Sequence, residues 1–553
     1  MLEDFLQQHP GLKEVPAGGR DERNFSIELP KLPEGRGLHG ATLVIPKMFP
    51  TAKLKVRLST QCVLRVPHIE SDGTLCFPGD VGPGAGLTPE QRVADTLRCF
   101  IRRFVLPWGY WELDDDFRRE ARTYWSLFVR RRSSKVDRVR GVFTTDGTPS
   151  APRVMEAVLA LPVGWVIAGA NPAFAQRIVA SLGARAATKA NATVLQVPVE
   201  YDFTPATWMK SKAEVDAFLE SRVGALELRK FAGRSSAKDV FRVVIFSSPN
   251  CDYAYLMPHG TPNSKTSRKS EYLIPIREVL PLTVERLDPS WTYGRNQHLE
   301  VAVRQNKHVV VFGAGALGAH VIDQLARAGV GNITVVDPDL MESANVGRHL
   351  LGVEALELSK ADCVAQHVGR ANPACVLSPK PTTAQAWLAR SRLSPEHDVD
   401  LFVDATGEPS VRAALEVERR ARPTALLIGW MEPFVAAAHA CQLTAETPWS
   451  SDGFDKLGPL QAVTWPPEVM LRQPACNSEF QAYTSAAAAH AVALVTEATI
   501  ELLDGQVTSS TVKSWVRGQR YLDAHHAGLA HREWAARAAP FDGLIIERPF
   551  DDE

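Results

Sequence analysis

Five polar residues follow a glycine-rich turn at spacings that suit work on a nucleoside triphosphate. In Gly313-Ala-Gly315-Ala-Leu-Gly318 little side chain separates a ligand from the backbone, so amide groups can approach a phosphate or a ribose. Asp337 stands 24 residues after the first of these glycines and can accept hydrogen bonds from ribose hydroxyls. In isolation this glycine-then-acid pattern favours an NAD- or FAD-binding domain and says nothing sharper. The continuation is Asp337-Pro-Asp339-Leu-Met-Glu-Ser-Ala-Asn345-Val-Gly-Arg348, then Lys360, then Asp404-Ala-Thr-Gly. A hydride-transfer site has no use for an Arg and a Lys placed this way, whereas a nucleotidyl-transfer site does. Arg348 and Lys360 can neutralise a triphosphate and the charge that develops at the α-phosphate and on departing pyrophosphate. Asp404 closes an apolar run, which puts a carboxylate at the carboxyl edge of a parallel sheet, a position suited to Mg²⁺.

Eight cysteines stand at positions 62, 76, 99, 251, 363, 375, 441 and 476. No two are three residues apart, so no paired-cysteine zinc or dithiol redox motif is present. Each must be weighed singly as buried filler or nucleophile. Cys441, in Ala-Ala-Ala-His-Ala-Cys441-Gln-Leu, reads as a residue of a buried strand. Cys476, in Arg-Gln-Pro-Ala-Cys476-Asn-Ser, follows Pro466-Pro467 and runs toward an alanine-rich helix over about 484–503. A thiol on such a segment can be exposed, with its thiolate favoured by the helix dipole.

The elements that must hold these residues are legible in outline. His308–Phe312 and Asn332–Val336 are short β-branched strands flanking the glycine turn and an apolar-periodic helix to about Ala328. Toward the N-terminus, Thr42–Ile45 and Lys53–Leu58 read as strands, and Pro89–Phe104 and Asp115–Val129 as helices, the first opened by Thr88-Pro89-Glu90. The basic run 130–138 suggests a boundary; its ordinary reading is a solvated linker and its alternative a nucleic-acid patch. The middle block predicts strands at Val163–Ala168, Thr193–Val199 and Val240–Ser247, helices at Asn171–Leu182 and Pro205–Val223, and a loop at His259–Glu271. The uncharged stretch Ala157–Phe174 reads as a helix end, a buried strand and a turn, not a membrane span. No catalytic constellation stands in this block.

The run GAGALG…DPDLMESANVGR…K…DATG resembles the adenylation domain of the ThiF, MoeB and ubiquitin-activating superfamily. That resemblance implies a ribose contact from Asp337, with Asp339 also in the nucleotide site. It implies triphosphate and transition-state contacts from Asn345, Arg348 and Lys360, an Mg²⁺ ligand at Asp404, and ATP as the bound nucleotide. Gly347 and His349 depart from the family pattern beside the Arg. Tyr293-Gly-Arg295-Asn is similar to a family segment whose Arg reaches the ATP of a partner subunit; a plain surface Arg is the other reading of Arg295. The family's zinc cysteines are absent.

The segment Phe49-Pro50 through Val66-Pro67-His68-Ile-Glu-Ser-Asp72-Gly73-Thr-Leu75-Cys76-Phe-Pro resembles the ubiquitin-conjugating fold. The resemblance implies that Cys76 is an acceptor thiol. It places His68, eight residues upstream, where that family has an asparagine. His68 is then an oxyanion donor or a structural histidine. Together the two segments resemble a bacterial fusion of ubiquitin-conjugating-like and ubiquitin-activating-like enzymes found in CBASS antiphage operons. The expected fold class is α/β, with three domains: 1–132 ubiquitin-conjugating-like α+β, 133–288 an α/β linker, and 289–553 a Rossmann-like adenylation domain. The implied chemistry adenylates the C-terminal carboxylate of a partner protein, either ubiquitin-like or a cGAS-like nucleotidyltransferase. The acyl group is captured as a thioester on Cys476, passed to Cys76 and delivered to a target amine, by a homodimer. Two alternatives are a sulfur-carrier adenylyltransferase of the thiamine or molybdopterin type, which leaves Cys76 idle, and an NAD-binding oxidoreductase.

Composition agrees with protein and nucleotide partners. Lys plus Arg is 62 and Asp plus Glu 63, a net charge of −1, which argues against a protein that coats nucleic acid or an anionic membrane. The acidic start MLEDFLQQHP has no apolar signal core, so a cytoplasmic location is expected.

Overall fold

The computed structural model describes the chain apart from residues 1, 17–20, 77–79, 81, 83–85, 133–138, 234–239, 259–277, 392–397, 451–452, 473–478, 481–482, 527 and 551–553; of 187–191, 240, 471–472 and 479–480 it describes the backbone only. The loop expected at His259–Glu271 falls outside the described residues, as does Cys476. The chain divides into two compact units, one of Met1–Ala170 and Ala187–Glu285, the other of Asn171–Ala186 and Arg286–Glu553.

The first unit opens with a helix, Leu2–Gln8, and a four-stranded antiparallel meander: β1 (Leu12–Val15), β2 (Glu22–Ile27), β3 (Thr42–Pro46) and β4 (Lys55–Arg57). One face of β3 and β4 packs Leu43, Ile45 and Val56 onto Val93, Leu97, Phe100 and Phe104 of the following helix. That helix, Pro89–Phe100, begins where the sequence places it, because Thr88 and Gln91 form a reciprocal capping box and Pro89 needs no amide partner in the first turn. It continues through a wider turn, Ile101–Val105, into Leu106–Gly109. The helix expected over Asp115–Val129 is broken at Glu120 into Asp116–Arg119 and Ala121–Arg132, the latter taking in the first three residues of the basic run.

The rest of this unit is a closed seven-stranded barrel: β5 (Gly141–Thr144), β6 (Arg153–Leu161), β7 (Trp165–Ala168), β8 (Arg185–Pro198), β9 (Val240–Ser247), β10 (Asp252–Leu256) and β11 (Leu280–Arg286). Alternation along β9 divides its core, with Val243 and Ile245 in one cluster and Val244 and Phe246 in another that receives Trp125 of helix Ala121–Arg132. Ala157–Leu161, read from sequence as a helix end, is the close of β6; pairing with β7 overrides the helical propensity of its alanines and leucines. The helix expected at Pro205–Val223 starts only at Lys212, where Ser211 caps it.

The second unit is built on an eight-stranded sheet. Its order is β14 (Val376–Lys380), β13 (Asn332–Val336), β12 (His308–Phe312), β15 (Leu401–Asp404), β16 (Ala425–Met431), β17 (Ala437–Leu443), β18 (Thr511–Arg517) and β19 (Gly543–Pro549). The first five are parallel and the last three antiparallel. Helices Gly318–Arg327, Lys360–Ala371 and Ser485–Leu503 contribute Val321, Leu325, Val364, Val368, Ala491 and Val495 to the main core. Ser485–Leu503 is long and apolar enough to cross a membrane by length and composition, but most of it is buried in that core. Cys441 lies on β17 with no exposed surface, as filler should.

One buried ion pair ties the segment after Cys76 to the meander. Asp80 and Arg92 meet at 2.6 and 3.1 Å with side chains 1% and 3% exposed. Asp80 also accepts the amides of Leu54 and Gly82. Burial alone would raise the Asp80 titration, but Arg92 and the two amides hold it below the ordinary carboxylate value. Its stabilising contribution is therefore full above the ordinary value near 3.8 and is lost as pH falls through the lower folded value. Arg92→Leu strands that carboxylate; urea unfolding should show a loss of about 3–5 kcal/mol in the transition of the first unit. An unchanged midpoint would show the pair to be dispensable.

Candidate active sites

The candidate nucleotide site is made by three strand ends at one level. Phe312 pairs with Val336 on one side and with Asp404 on the other, so Gly313, Asp337 and Ala405 leave the sheet side by side. Gly313 has φ +88°, and a Cβ there would lie 3.0 Å from the Ala405 carbonyl group. A Cβ on Gly318 would lie 1.9 Å from the Gly313 oxygen, whereas one on Gly315 would meet nothing within 4 Å. The first and third glycines thus permit the fold, and the second leaves open space above the turn. Asp337 fixes the turn: its carboxylate accepts the amides of Ala314 at 2.6 Å and Asp339 at 2.8 Å. Burial raises its titration, against those two amides and Lys360.

The next segment folds back over this turn. Asn345 accepts the Glu342 amide at 3.0 Å and closes a short 3-10 turn. Arg348 follows, donating to the Ala344 carbonyl with its guanidinium 5.7 Å above the Tyr483 ring. Lys360 heads its helix, is 9% exposed, and bonds Asp339 at 3.0 Å. In the sequence His349 stands out only as a departure from the family pattern. It is a latch: its Nδ1 accepts the Leu351 amide, so its Nε2 carries the proton and donates to the Ala314 carbonyl at 2.6 Å. That bond ties the Arg348 segment to the glycine turn.

Asp404 has no exposed surface. One of its oxygens accepts the Thr406 amide and hydroxyl at 2.9 and 2.6 Å. Among the described residues its Oδ2 has no hydrogen-bond partner, and it faces Arg412 Nη1 at 3.6 Å. Arg412, which no sequence motif marked, sits on helix Pro409–Ala421 and is already paired with Asp455 at 2.8 and 2.7 Å. Burial pushes the Asp404 titration up. Among the described residues no group of three His, Cys, Asp or Glu could hold a metal. One unpartnered carboxylate oxygen fits Mg²⁺ that arrives with a triphosphate, since the phosphates and water supply the remaining ligands. Arg295 lies elsewhere, exposed in a turn where it and Asn296 have φ 48° and 60°.

In the first unit, Cys76 and His68 close a small hairpin. Ile69 and Leu75 form an antiparallel bridge, and the Cys76 amide donates to the His68 carbonyl at 2.8 Å. The hairpin turns at Gly73, whose φ is +87° and where a Cβ would lie 2.2 Å from the Leu58 oxygen. The eight-residue spacing thus places the two side chains together. His68 has φ 61°, and its amide donates to the Tyr124 hydroxyl at 2.8 Å. Its ring meets Asp116 through Nε2 at 3.0 Å, Glu120 through Nδ1 at 3.5 Å, and Cys76 Sγ through Nδ1 at 3.9 Å. Cys76 is exposed, and its thiol titrates above the ordinary value because of burial of the sulfur, then Glu120 and Glu70. Asp116, Glu120 and Tyr124 had no signal in the sequence, being about fifty residues downstream.

Residues 299–429 match the ThiF family. The "ATP-dependent ubiquitin transferase-like protein Cap2" of Pseudomonas aeruginosa is 27% identical over 241 residues, 42% of this chain and 42% of its own length. The "Adenylyltransferase and sulfurtransferase UBA4" of Yarrowia lipolytica is 33% identical over 114 residues, 20% of this chain and 26% of its own. The matched stretches thus span less than half the length of these relatives. Among solved structures, E. coli MccB with ATP matches 39% of this chain and 61% of that one, at 17% identity and a TM-score of 0.29.

The Cys76 surroundings give a pH prediction. Glu70→Gln removes a negative charge from an exposed side chain whose field opposes the thiolate. The thiol should then titrate lower, and iodoacetamide should alkylate Cys76 about twofold faster at neutral pH, with the difference shrinking in high salt. Equal rates at low salt would refute the assignment.

Proposed function

Because the chain carries a ThiF-family domain in its second unit, we propose that it is an ATP-dependent protein-conjugating enzyme. The observation that carries this reading is the gathering of Asp337, Asn345, Arg348, Lys360 and Asp404 around one glycine turn, in a chain that also presents an exposed cysteine beside a histidine. The substrate is the C-terminal carboxylate of a partner protein, of the kind encoded beside such enzymes in antiphage operons: a cGAS-like nucleotidyltransferase or a ubiquitin-like protein.

ATP lies over the glycine turn with its ribose toward Asp337 and Asp339. Phosphate approaching Lys360 displaces Asp339, whose pairing is half exposed and weak. Mg²⁺, when bound through Asp404, supplies positive charge to the phosphates. The partner carboxylate oxygen attacks the α-phosphorus, the bond to the β-phosphate oxygen breaks, and pyrophosphate leaves as Arg348 and Lys360 offset its charge. The Cys476 thiolate then attacks the acyl carbon and releases AMP. Cys76 takes the acyl group with release of the Cys476 thiol, and a target amine takes it from Cys76 to form an amide. An unactivated carboxylate resists a thiol, so ATP cleavage must come first. We further propose a cytoplasmic homodimer in which Arg295 reaches the partner subunit's nucleotide.

The test uses ATP, the partner protein and non-reducing electrophoresis. Wild type should exchange pyrophosphate into ATP and form reducible adducts. Arg348→Ala should slow exchange at least ~100-fold. Cys476→Ala should keep exchange but form no adduct, and Cys76→Ala should hold the adduct on Cys476. Asp404→Asn should abolish exchange with no loss of thermal stability, because it removes a buried charge. Exchange without any adduct in wild type would favour the sulfur-carrier reading, and hydride transfer to NAD would refute adenylation.

A further inference from the structure

The side chains around Cys76 are arranged for proton transfer and not only for thioester exchange. His68 Nε2 lies 3.0 Å from an Asp116 oxygen, and a carboxylate can only accept, so Nε2 carries a proton. Nδ1 faces Cys76 Sγ at 3.9 Å and a Glu120 oxygen at 3.5 Å, so it can exchange a proton with the thiol while Glu120 stabilises the protonated ring. Asp116 is held in turn by Arg119 at 3.2 Å, and its side chain is 14% exposed. The His68 backbone is fixed by its amide bond to Tyr124, whose hydroxyl donates to Glu120 at 2.9 Å. A non-glycine residue at positive φ persists only where its surroundings over-determine it, and here four bonds do so.

We propose that Cys76, His68 and Asp116 form a nucleophile–base–orienter triad that catalyses acyl transfer at Cys76. The proposal deepens the relay reading and rests on it for the identity of the acyl group. His68 is catalytic through its contact with Sγ, and Asp116 is a positioning residue acting through His68. As the Cys76 sulfur bonds to the acyl carbon of the incoming thioester, its proton passes to His68 Nδ1. The carbon–sulfur bond to the donor cysteine breaks, that sulfur takes a proton from solvent, and His68 Nδ1 gives its proton up to solvent, so the ring is neutral again before the second step. In the second step an amine nitrogen bonds to the same carbon and gives one proton to His68, which returns it to Sγ as the Cys76 carbon–sulfur bond breaks. The products are an amide and a free thiol. Asp116 and Glu120 carry the charge opposite to that of the transient imidazolium.

The role predicts a signature that a merely structural histidine would not give. The groups facing His68 and Cys76 are Asp116, Arg119, Glu120 and Tyr124 from the helical segment and Glu70 from the hairpin. The full-length chain carrying Cys476→Ser is alkylated with iodoacetamide across the pH range where histidine and thiols titrate, and the Cys76 peptide is quantified by mass spectrometry. The parent should show two ionisations, with reactivity at neutral pH owing to His68. His68→Asn should show one and react at least ~10-fold more slowly at neutral pH. Asp116→Asn should lose reactivity in the same direction, and Asp116→Glu should recover most of it. A His68→Asn profile that superimposes on the parent's would overturn the triad. So would single-turnover amine transfer from Cys76 that is as fast in His68→Asn as in wild type, since asparagine can donate to an oxyanion but cannot act as a base. Alkylation needs neither ATP nor a partner tail, so a failed relay with an intact two-ionisation profile would refute the conjugating reading and leave the triad standing.

Discussion

The candidate nucleotide site depends on one constraint, that three parallel strands end at the same level. Phe312 is in register with both Val336 and Asp404, and the backbone on all three strands must turn away together. Asp337 sits at the centre of that turn. Its two oxygens take the amides of Ala314 and Asp339, which belong to separate segments. Each amide would otherwise end a strand without a partner, at a cost of about 1–3 kcal/mol apiece. A single buried carboxylate therefore sets the path of the glycine turn and of the segment that carries Asn345 and Arg348. His349 closes the same circuit from the other side by returning a hydrogen bond to Ala314. The site's backbone is held by side chains, which leaves the surface at Gly315 open.

Charge is distributed around this turn in two ways. Lys360 shares its proton donors with a half-exposed Asp339, a partner that water or phosphate can replace at little cost. Asp404 and Arg412 have essentially no exposed surface and stand 3.6 Å apart without a hydrogen bond, each with an unpartnered atom. Arg412 is committed to Asp455 in bidentate geometry, so it offsets the Asp404 charge through space while leaving Oδ2 unused. A buried acceptor left this way weakens the folded state unless a ligand supplies what it lacks. The Lys360 pair is suited to exchange and the Asp404 pair to waiting.

How much of this was legible in the sequence follows from which interactions are local. β12 and β13 run over the residues read from sequence, and Asp404 ends its strand as expected, because short β-branched runs bounded by glycine and acid leave few alternatives. Thr88 and Pro89 announced their helix for a similar reason. Ala157–Leu161 misled because alanine and leucine favour helix until a neighbouring strand is present to pair with them. Arg412, Asp455, Asp116 and Glu120 were illegible for another reason. Their partners are tens of residues away, and an Arg or Asp on a helix surface looks the same in sequence whether its partner is water or a buried carboxylate. His349 lay in view beside Arg348, but its role comes from a hydrogen bond across 35 residues.

The acidic surroundings of Cys76 bear on why a base is required there. Burial of the sulfur, and after it Glu120 and Glu70, raise the thiol's titration, which lowers the thiolate population at neutral pH. The same shift makes the sulfur a poorer leaving group once it is acylated, because thiols of higher pKa depart more slowly. Carboxylates at this place therefore oppose both halves of an acyl relay if sulfur must enter and leave as a bare anion. They cease to oppose either half if a proton travels with the sulfur. They then favour the intermediate in which His68 holds that proton, and they attract an acceptor amine, which is cationic in water. An acidic rim and a histidine in contact with the sulfur are thus one arrangement, and removing the histidine would turn the rim from an aid to the reaction into an obstacle.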